Sequence, residues 1–524
     1  MKRSRLTSGA SALLLLLIAA AGAALRLHLL ARRDFWVDEA LSVFLARLPW
    51  REFWAALWNF QANMGLYYFL LRGWLHLGDG EATVRALSVL FGVAVIPATY
   101  LLGRRLFDEK AAIASAALAA VNVFQIRYSQ EARGYSLVML LVVLSTYLFL
   151  RALESPKPAR YWAGYALVSA LGTYVHLFVY LVIAAHWLSL GSSRLRSLPC
   201  RTIFLSAAGF ALLTAPLDIF ILFRERGQLS WVPHPTLQLV LGFSKLFAGN
   251  GGLPLVGAYA ALCFIALVPP ASSPASKPSG LDERWSARLV ATWLLFPIAA
   301  TLLVSLVKPV FYDRFMAVSA PALALLAGQG LSRLGRAPLR LRGLYPASVL
   351  AMVGASLWGV HRYDHSRAAQ GDHWREAVRY ILAAQQPQDA VFLYRASGAW
   401  PFQYYARREM EARRAAGSPT VVFPLDASNA QQDPDERQAR LAIEGQRRVW
   451  LVLQHYGALE DREAAKQAIE GAFQDGYQVY QKREFHGVSG PIRVLLYVRD
   501  TSAAPPIKGM AKQPWLTPPL RAAN

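Results

Sequence analysis

The chain has 524 residues, 55% of them hydrophobic and only 17% charged. That balance excludes an ordinary soluble globule of this size and fits a polytopic membrane protein. The net charge of +22 does not point to nucleic acid. The basic residues gather in short loops between apolar runs, as the positive-inside rule expects, and in the polar C-terminal third. Two cysteines, Cys200 and Cys263, lie in or beside apolar runs and give no disulfide framework.

Met1-Lys2-Arg3-Ser4-Arg5 ahead of an apolar run resembles a secretory signal. The run is longer than a signal core, and no small-residue cleavage site precedes Arg32-Arg33, so it reads as a retained first span. Apolar runs long enough to cross a hydrocarbon core of about 30 Å lie near 11–31, 83–103, 111–127, 134–153, 161–175, 177–191, 201–219, 251–270, 287–307, 315–334 and 343–361. The expectation is eleven spans, with the continuous run 160–191 split near Thr173 to His176.

Residues 63–77 are apolar but short and interrupted by Arg72. Leaving them out of the span count puts the basic loops at 1–5, 104–110, 151–160, 194–201, 277–288 and 333–342 on one side, with a cytoplasmic N-terminus. Residues 35–77 then form an outer juxtamembrane segment whose aromatics, among them Trp36, Trp50, Trp54 and Trp58, suit the interface. Pro269 to Gly280 reads as a cytoplasmic loop.

After Tyr363 the apolar spans stop. Short β-like runs at 390–394, 421–423, 449–453 and 494–498 alternate with helical patterns such as Trp374 to Gln385 and Ala464 to Gly476. The expected fold is therefore mainly α: a transmembrane helical bundle over 1–363 and an extracytoplasmic α/β domain over 364–500. A Pro- and Ala-rich tail, 501–524, has a disordered composition.

Three segments between spans carry unusual polar residues and are expected at one membrane face. They are Asp34, Asp38 and Glu39, then Arg127-Tyr128-Ser129-Gln130-Glu131-Ala132-Arg133, and then Lys308 to Arg314. Carboxylates are costly near lipid, and one of them can act as a general base. Arginines can hold a phosphate through paired charge-assisted hydrogen bonds. Base, cations and membrane surface together suggest a lipid-phosphate substrate.

Plainer readings stand beside this one. Asp38 and Glu39 fit the first turn of a helix. Arg133 could pair with Glu131 or Glu39, Arg314 could snorkel to the interface, and His176 could be a hydrogen-bonded structural histidine. His361, His365 and His373 without cysteines are a weak metal signal. The sequence contains no Gly-rich phosphate loop, no GxSxG and no HExxH.

At these residues the chain resembles the GT-C glycosyltransferases. It is most similar to the bacterial branch related to dolichyl-phosphate-mannose protein mannosyltransferases, glycosyltransferase family 39. The resemblance runs over about 1–410 and rests on Trp36-Val37-Asp38-Glu39-Ala40, Gly65-Leu66-Tyr67-Tyr68 with Arg85, and Leu102 to Phe107. It continues through Tyr128-Ser129-Gln130-Glu131-Ala132-Arg133, Tyr174-Val175-His176, Arg314-Phe315 and His373-Trp374-Arg375-Glu376-Ala377. Two positions depart from the family pattern. Asn63-Met64-Gly65 stands where many relatives carry Pro-Pro, and Arg314-Phe315 stands where Arg-Tyr is common.

The resemblance implies a multi-pass enzyme of the cytoplasmic membrane that takes a sugar from a polyprenyl-phosphate carrier. It transfers that sugar, with inversion, to a glycan, lipid or protein acceptor outside the cytoplasm. It casts Asp38 as base, Glu39 as its partner, and Arg133, Arg314 and Lys308 as holders of the donor phosphate. Glu131, Tyr128, Gln130, His176 and Tyr67 are further site candidates. Neither a metal nor a cofactor is implied, because a monophosphate leaves without the diphosphate charge that a cation usually neutralises. A flippase for lipid-linked sugars is the competing class. It is disfavoured because the polar residues lie at one surface rather than at the midplane. A membrane-anchored binding protein would make Asp38 dispensable.

Overall fold

A computed structural model describes residues 8–155, 157–191, 198–223, 232–268, 282–335, 343–366, 371–394, 396–413, 420–423, 436–454, 469–473, 476–488 and 490–499. The chain divides into two compact units, one of residues 1–30 and 52–364, the other of 31–51 and 365–524. The tail 501–524 and the loop Pro269 to Gly280 lie outside the described residues.

The first unit is helical. Among the described residues seven helices are long and apolar enough to cross a membrane, or up to nine if two bent pairs each count as one span. The sequence expectation is eleven spans, and helices occupy every run read as one. The runs 161–175 and 177–191 form the helices Ala159–Thr173 and Val179–Leu188, of 15 and 10 residues. At 1.5 Å per residue these reach only about 22 and 15 Å. The run 111–127 breaks into Glu109–Val121 and Val123–Ser129, bent by 57°. A helix missed from sequence, Leu237–Phe247, meets Gly252–Leu267 at 71°, across Gly249, Asn250 and Gly252 with positive φ. Gly65–Trp74 is a helix of ten residues, too short to span.

Lipid is the solvent these helices require. Cys200–Phe223 leaves Phe204, Leu212 and Leu222 at 72, 78 and 76% exposed, which is stable only against hydrocarbon. At the opposite extreme, every residue from Ala320 to Ser332 of the helix Ala320–Leu334 is buried. It packs by small residues, as membrane helices do in the absence of a hydrophobic driving force between them. A Cβ on Gly328 would overlap Ser115 and the Ala111 carbonyl, and one on Gly330 would overlap the Leu262 carbonyl.

The break after Val121 is sealed by polar side chains. Arg26, fully buried, donates to the carbonyls of Ala119 (3.0 Å) and Ala120 (2.9 Å), which end the first half-helix, and to Gly22 O (3.0 Å) and Ser129 Oγ (3.3 Å). Asn122 accepts from Gln125 N at 3.1 Å, starting the second half, and donates to Phe247 O at 3.1 Å. A helix end in lipid needs such partners, since water cannot supply them.

The second unit is a five-stranded sheet with helices. Its strands are β1 (Ala390–Tyr394), β2 (Thr420–Phe423), β3 (Arg448–Gln454), β4 (Tyr477–Gly487) and β5 (Gly490–Arg499), in the order β2-β1-β3-β5-β4. β1 pairs in parallel with β2 and β3, while β3–β5 and β5–β4 are antiparallel. β1 is buried at every position, as an interior parallel strand covered on both faces should be. Phe392, Leu451, Phe473 and Tyr497 form the core of the unit with Ala439 and Ile443 of the helix Glu436–Ile443.

Residues 31–51 belong to this unit, although 35–77 reads from sequence as one juxtamembrane segment. The carboxylate of Asp34 accepts from Arg375 N at 2.8 Å and stands 3.3 Å from the Arg375 guanidinium. Phe35 N donates to Tyr405 Oη at 2.7 Å, and Phe44 packs on Trp400 at 4.4 Å between centroids. These contacts hold the helix Val37–Arg47 against Ala399–Arg413.

Replacing Gly330 by Val is expected to destabilise the bundle by about 1–3 kcal/mol or more, because a backbone carbonyl cannot yield to the added atoms. Thermal unfolding in detergent measures this, with Gly354→Val as control, since a Cβ at Gly354 meets nothing within 4 Å.

Candidate active site

In the second unit, Val37–Arg47 opens with Asp38 and Glu39 in its first turn, where the helix dipole favours negative charge. Asp38 is partly exposed and Glu39 is buried. Asp34 and Phe35, immediately before this turn, carry the contacts to Arg375 and Tyr405.

In the first unit, three loops converge. Arg127 joins two of them, with Nε 3.4 Å from Glu131 and Nη1 3.7 Å from Asp313. Asp313 also accepts from Arg314 N at 2.7 Å, opening the 3₁₀ turn Asp313–Ser319. Arg133 is 8% exposed and donates through Nη1 to Tyr68 Oη at 2.8 Å. Its carbonyl accepts from Ser88, whose hydroxyl also bonds Tyr67 Oη at 2.8 Å. Arg314 lies over the rings of Tyr312 and Phe315, at 5.1 and 6.0 Å.

The third loop carries His176 between Ala159–Thr173 and Val179–Leu188. Its ring packs on Phe315 at 5.3 Å and Phe178 at 5.0 Å, and Nδ1 accepts from Phe178 N at 3.2 Å. That bond leaves the neutral ring its Nε2 proton. Burial first, then the positive fields of Arg314 and Arg133, push its pKa down to about 3. The ring is therefore neutral at physiological pH, a donor rather than a general acid.

The sequence candidates are placed as follows. Arg133, Arg314, Glu131, Tyr128, His176 and Tyr67 lie in or beside this cluster. Tyr128 is buried under Arg127, whose guanidinium is 5.1 Å from its ring. Tyr67 turns its hydroxyl toward Ser88, within the bundle. Gln130 gives its amide to the carbonyls of Leu25, Arg26 and His28, tying the loop to the end of the first span. Lys308 is exposed at the end of the helix Glu283–Val304, and no described contact joins it to the cluster.

Arg127, Asp313 and Tyr68 lie in segments that the sequence singles out but receive no role of their own there, and Arg26 is not read at all. The i,i+4 spacing of Arg127 and Glu131 is the signal that could have found the first. Arg127, Arg133 and Arg314 stand with Glu131 and Asp313 in these loops, and guanidinium groups suit the oxygens of a phosphate. Among the described residues no three His, Cys, Asp or Glu side chains are grouped to hold a metal.

Comparison with solved proteins decides the architecture. The structure is similar to ArnT from Cupriavidus metallidurans bound to undecaprenyl phosphate, with a TM-score of 0.59 at 14% identity, covering 94% of this chain and 99% of that one. The chain has the GT-C fold. The oligosaccharyltransferase of Archaeoglobus fulgidus, in complex with zinc and sulfate, is similar at a TM-score of 0.52 and 13% identity, covering 91% of this chain and 72% of that one. The mycobacterial arabinofuranosyltransferase AftD is similar at 0.50 and 15% identity, covering 95% and 42%. The family model for dolichyl-phosphate-mannose-protein mannosyltransferase matches residues 65–220, which include Arg127, Glu131, Arg133 and His176. No curated protein matches the chain by sequence.

The low pKa of His176 has a consequence for acid stability. The unfolded ring titrates near 6.5 and the folded ring near 3, so the unfolded chain binds the extra proton between those values. Stability is full above pH 6.5 and falls as the pH drops toward 3, by about 2 kcal/mol at pH 5. His176→Gln is expected to lose this component of the pH dependence, read as the pH profile of the thermal midpoint in detergent.

Proposed function

We propose that the protein is an integral-membrane glycosyltransferase of the cytoplasmic membrane, moving a sugar from a polyprenyl-phosphate carrier to an acceptor hydroxyl on the extracytoplasmic side. The observation that carries this reading is the cluster of the buried Arg133 with the half-buried Arg127 and Arg314 in the loops of a GT-C bundle. The lipid-phosphate ligand of ArnT and the mannosyltransferase family match support the choice of donor. In this orientation the N-terminus is cytoplasmic and the C-terminal domain extracytoplasmic.

Asp38 acts as the base and takes the proton from the acceptor hydroxyl, with Glu39 as its neighbour on the same helical turn. The freed oxygen attacks the anomeric carbon from the face opposite the phosphate. As the new C–O bond forms, the bond from carbon to phosphate oxygen breaks, and the carrier leaves as polyprenyl phosphate with the electron pair. Inversion follows from that geometry. Arg133 and Arg314 receive the growing charge on the phosphate, and the neutral His176 offers its Nε2 proton beside them. Preorganised donors of this kind are often the largest single contribution to catalysis.

Two outcomes are expected in membranes supplied with the lipid-linked sugar. Asp38→Asn lowers transfer by roughly 10²–10⁴-fold while expression and insertion stay normal; normal transfer by this variant refutes the base. Arg133→Ala raises the KM for donor by roughly tenfold or more, the cost of a lost charge-assisted hydrogen bond. Unchanged dependence on donor concentration refutes the phosphate role.

A further inference from the structure

A second cationic feature lies at the other end of the bundle. The helix Glu283–Val304 runs toward the Lys308–Arg314 loop at its C-terminal end. At its N-terminal end, Arg284 and Arg288 stand exposed one turn apart. They head a groove of about 460 Å³ that continues along Ala291, Thr292, Leu295, Phe296 and Ala299, with Leu267 of the neighbouring helix forming its other wall.

The spacing of these residues defines the groove as one helix face. Positions 284, 288, 291, 292, 295, 296 and 299 recur at intervals of three and four. Ala291, Thr292 and Ala299 are small and make the hollow. Eleven residues separate Arg288 from Ala299, about 16 Å at 1.5 Å per residue. One leaflet of hydrocarbon is about 15 Å deep, so the groove matches an acyl chain lying below its headgroup.

The local charges complete the picture. Glu283 turns inward, where it accepts from Gln329 at 2.6 Å and pairs with Arg333 at 3.2 Å. Asp282 caps the helix by accepting from Arg284 N at 3.1 Å. Arg333 is committed to Glu283 and to the carbonyls of Ile265 and Val268. Among the described residues the guanidinium groups of Arg284 and Arg288 have no ion-pair or hydrogen-bond partner. Two arginines above an apolar trough at the membrane surface complement a phosphate headgroup with its chain attached.

We infer that this groove binds an anionic phospholipid of the bilayer, its phosphate held by Arg284 and Arg288 and one acyl chain lying along Ala291 to Ala299. The leaflet it occupies is the one opposite the loops that carry Arg133 and Arg314. The lipid is a resident rather than a donor, so its binding is independent of sugar transfer.

The test uses the full chain in nanodiscs of phosphatidylcholine with a minor fraction of phosphatidylglycerol, and native mass spectrometry to count retained lipids. The wild type is expected to keep one phosphatidylglycerol in preference to phosphatidylcholine. Arg284→Gln with Arg288→Gln is expected to lower that preference about 25-fold, at roughly fivefold per arginine near the surface. Arg104→Gln with Arg201→Gln, the same loss of charge elsewhere, keeps it. Ala299→Phe, which fills the trough and spares the cations, weakens retention as well. Equal retention by the Arg284/Arg288 variant, equal loss in the Arg104/Arg201 control, or no preference for phosphatidylglycerol in the wild type overturns the inference.

Discussion

A hydrocarbon solvent cannot hydrogen-bond the backbone, so wherever a span breaks the protein must supply the partners itself. The break between Val121 and Val123 is the place where this constraint shapes the most. Arg26 closes the carbonyl end of the first half-helix and Asn122 opens the second. The redirected helix then delivers Arg127 and the following loop. Ser129 bonds Arg26, and Gln130 bonds the carbonyls of Leu25, Arg26 and His28. The loop that carries Glu131 and Arg133 is thus fastened at its root to the end of the first span. A buried arginine is expensive without such a full set of acceptors, which explains why it sits where orphan carbonyls are concentrated.

Electrostatics at that loop follow from the same fastening. Arg127 faces Glu131 and Asp313, which places the loop at 308–319 against the loop at 127–135. Arg133 is directed by Tyr68, and Arg314 by the aromatic pair Tyr312 and Phe315. His176 is confined among them and held neutral.

Much of this was visible in the residues, and the parts that were not share a cause. Long apolar runs marked the helices, because a span must be apolar over its length. The run Ala390 to Tyr394 marked an interior strand because both of its faces are covered. β4 was missed because it is an edge strand whose residues are mostly exposed, so Gln478, Gln481, Lys482 and Arg483 carry no apolar alternation. The bend at Asn122 was hidden in a run that is otherwise mostly apolar. The turn Gly249-Asn250-Gly251-Gly252 did carry a breaker signal, yet the short helix ahead of it went unread. Arg26 looks in sequence like any cation near the end of a span; only its contacts, about a hundred residues away, turn it inward. The pairing of Asp34 with Arg375, 341 positions apart, has no local signature at all.

That last pairing has a consequence for biosynthesis. The segment bearing Asp38 and Glu39 leaves the ribosome well before the residues it folds against, since Asp34 and Arg375 are 341 positions apart and Trp400, Tyr404 and Tyr405 come later still. At about 5–20 residues per second, the acidic helix waits tens of seconds for its scaffold. Chains cut short before Arg375 keep the helix Ser8–Leu27 but lack the residues that the helix Val37–Arg47 and the turn before it pack against.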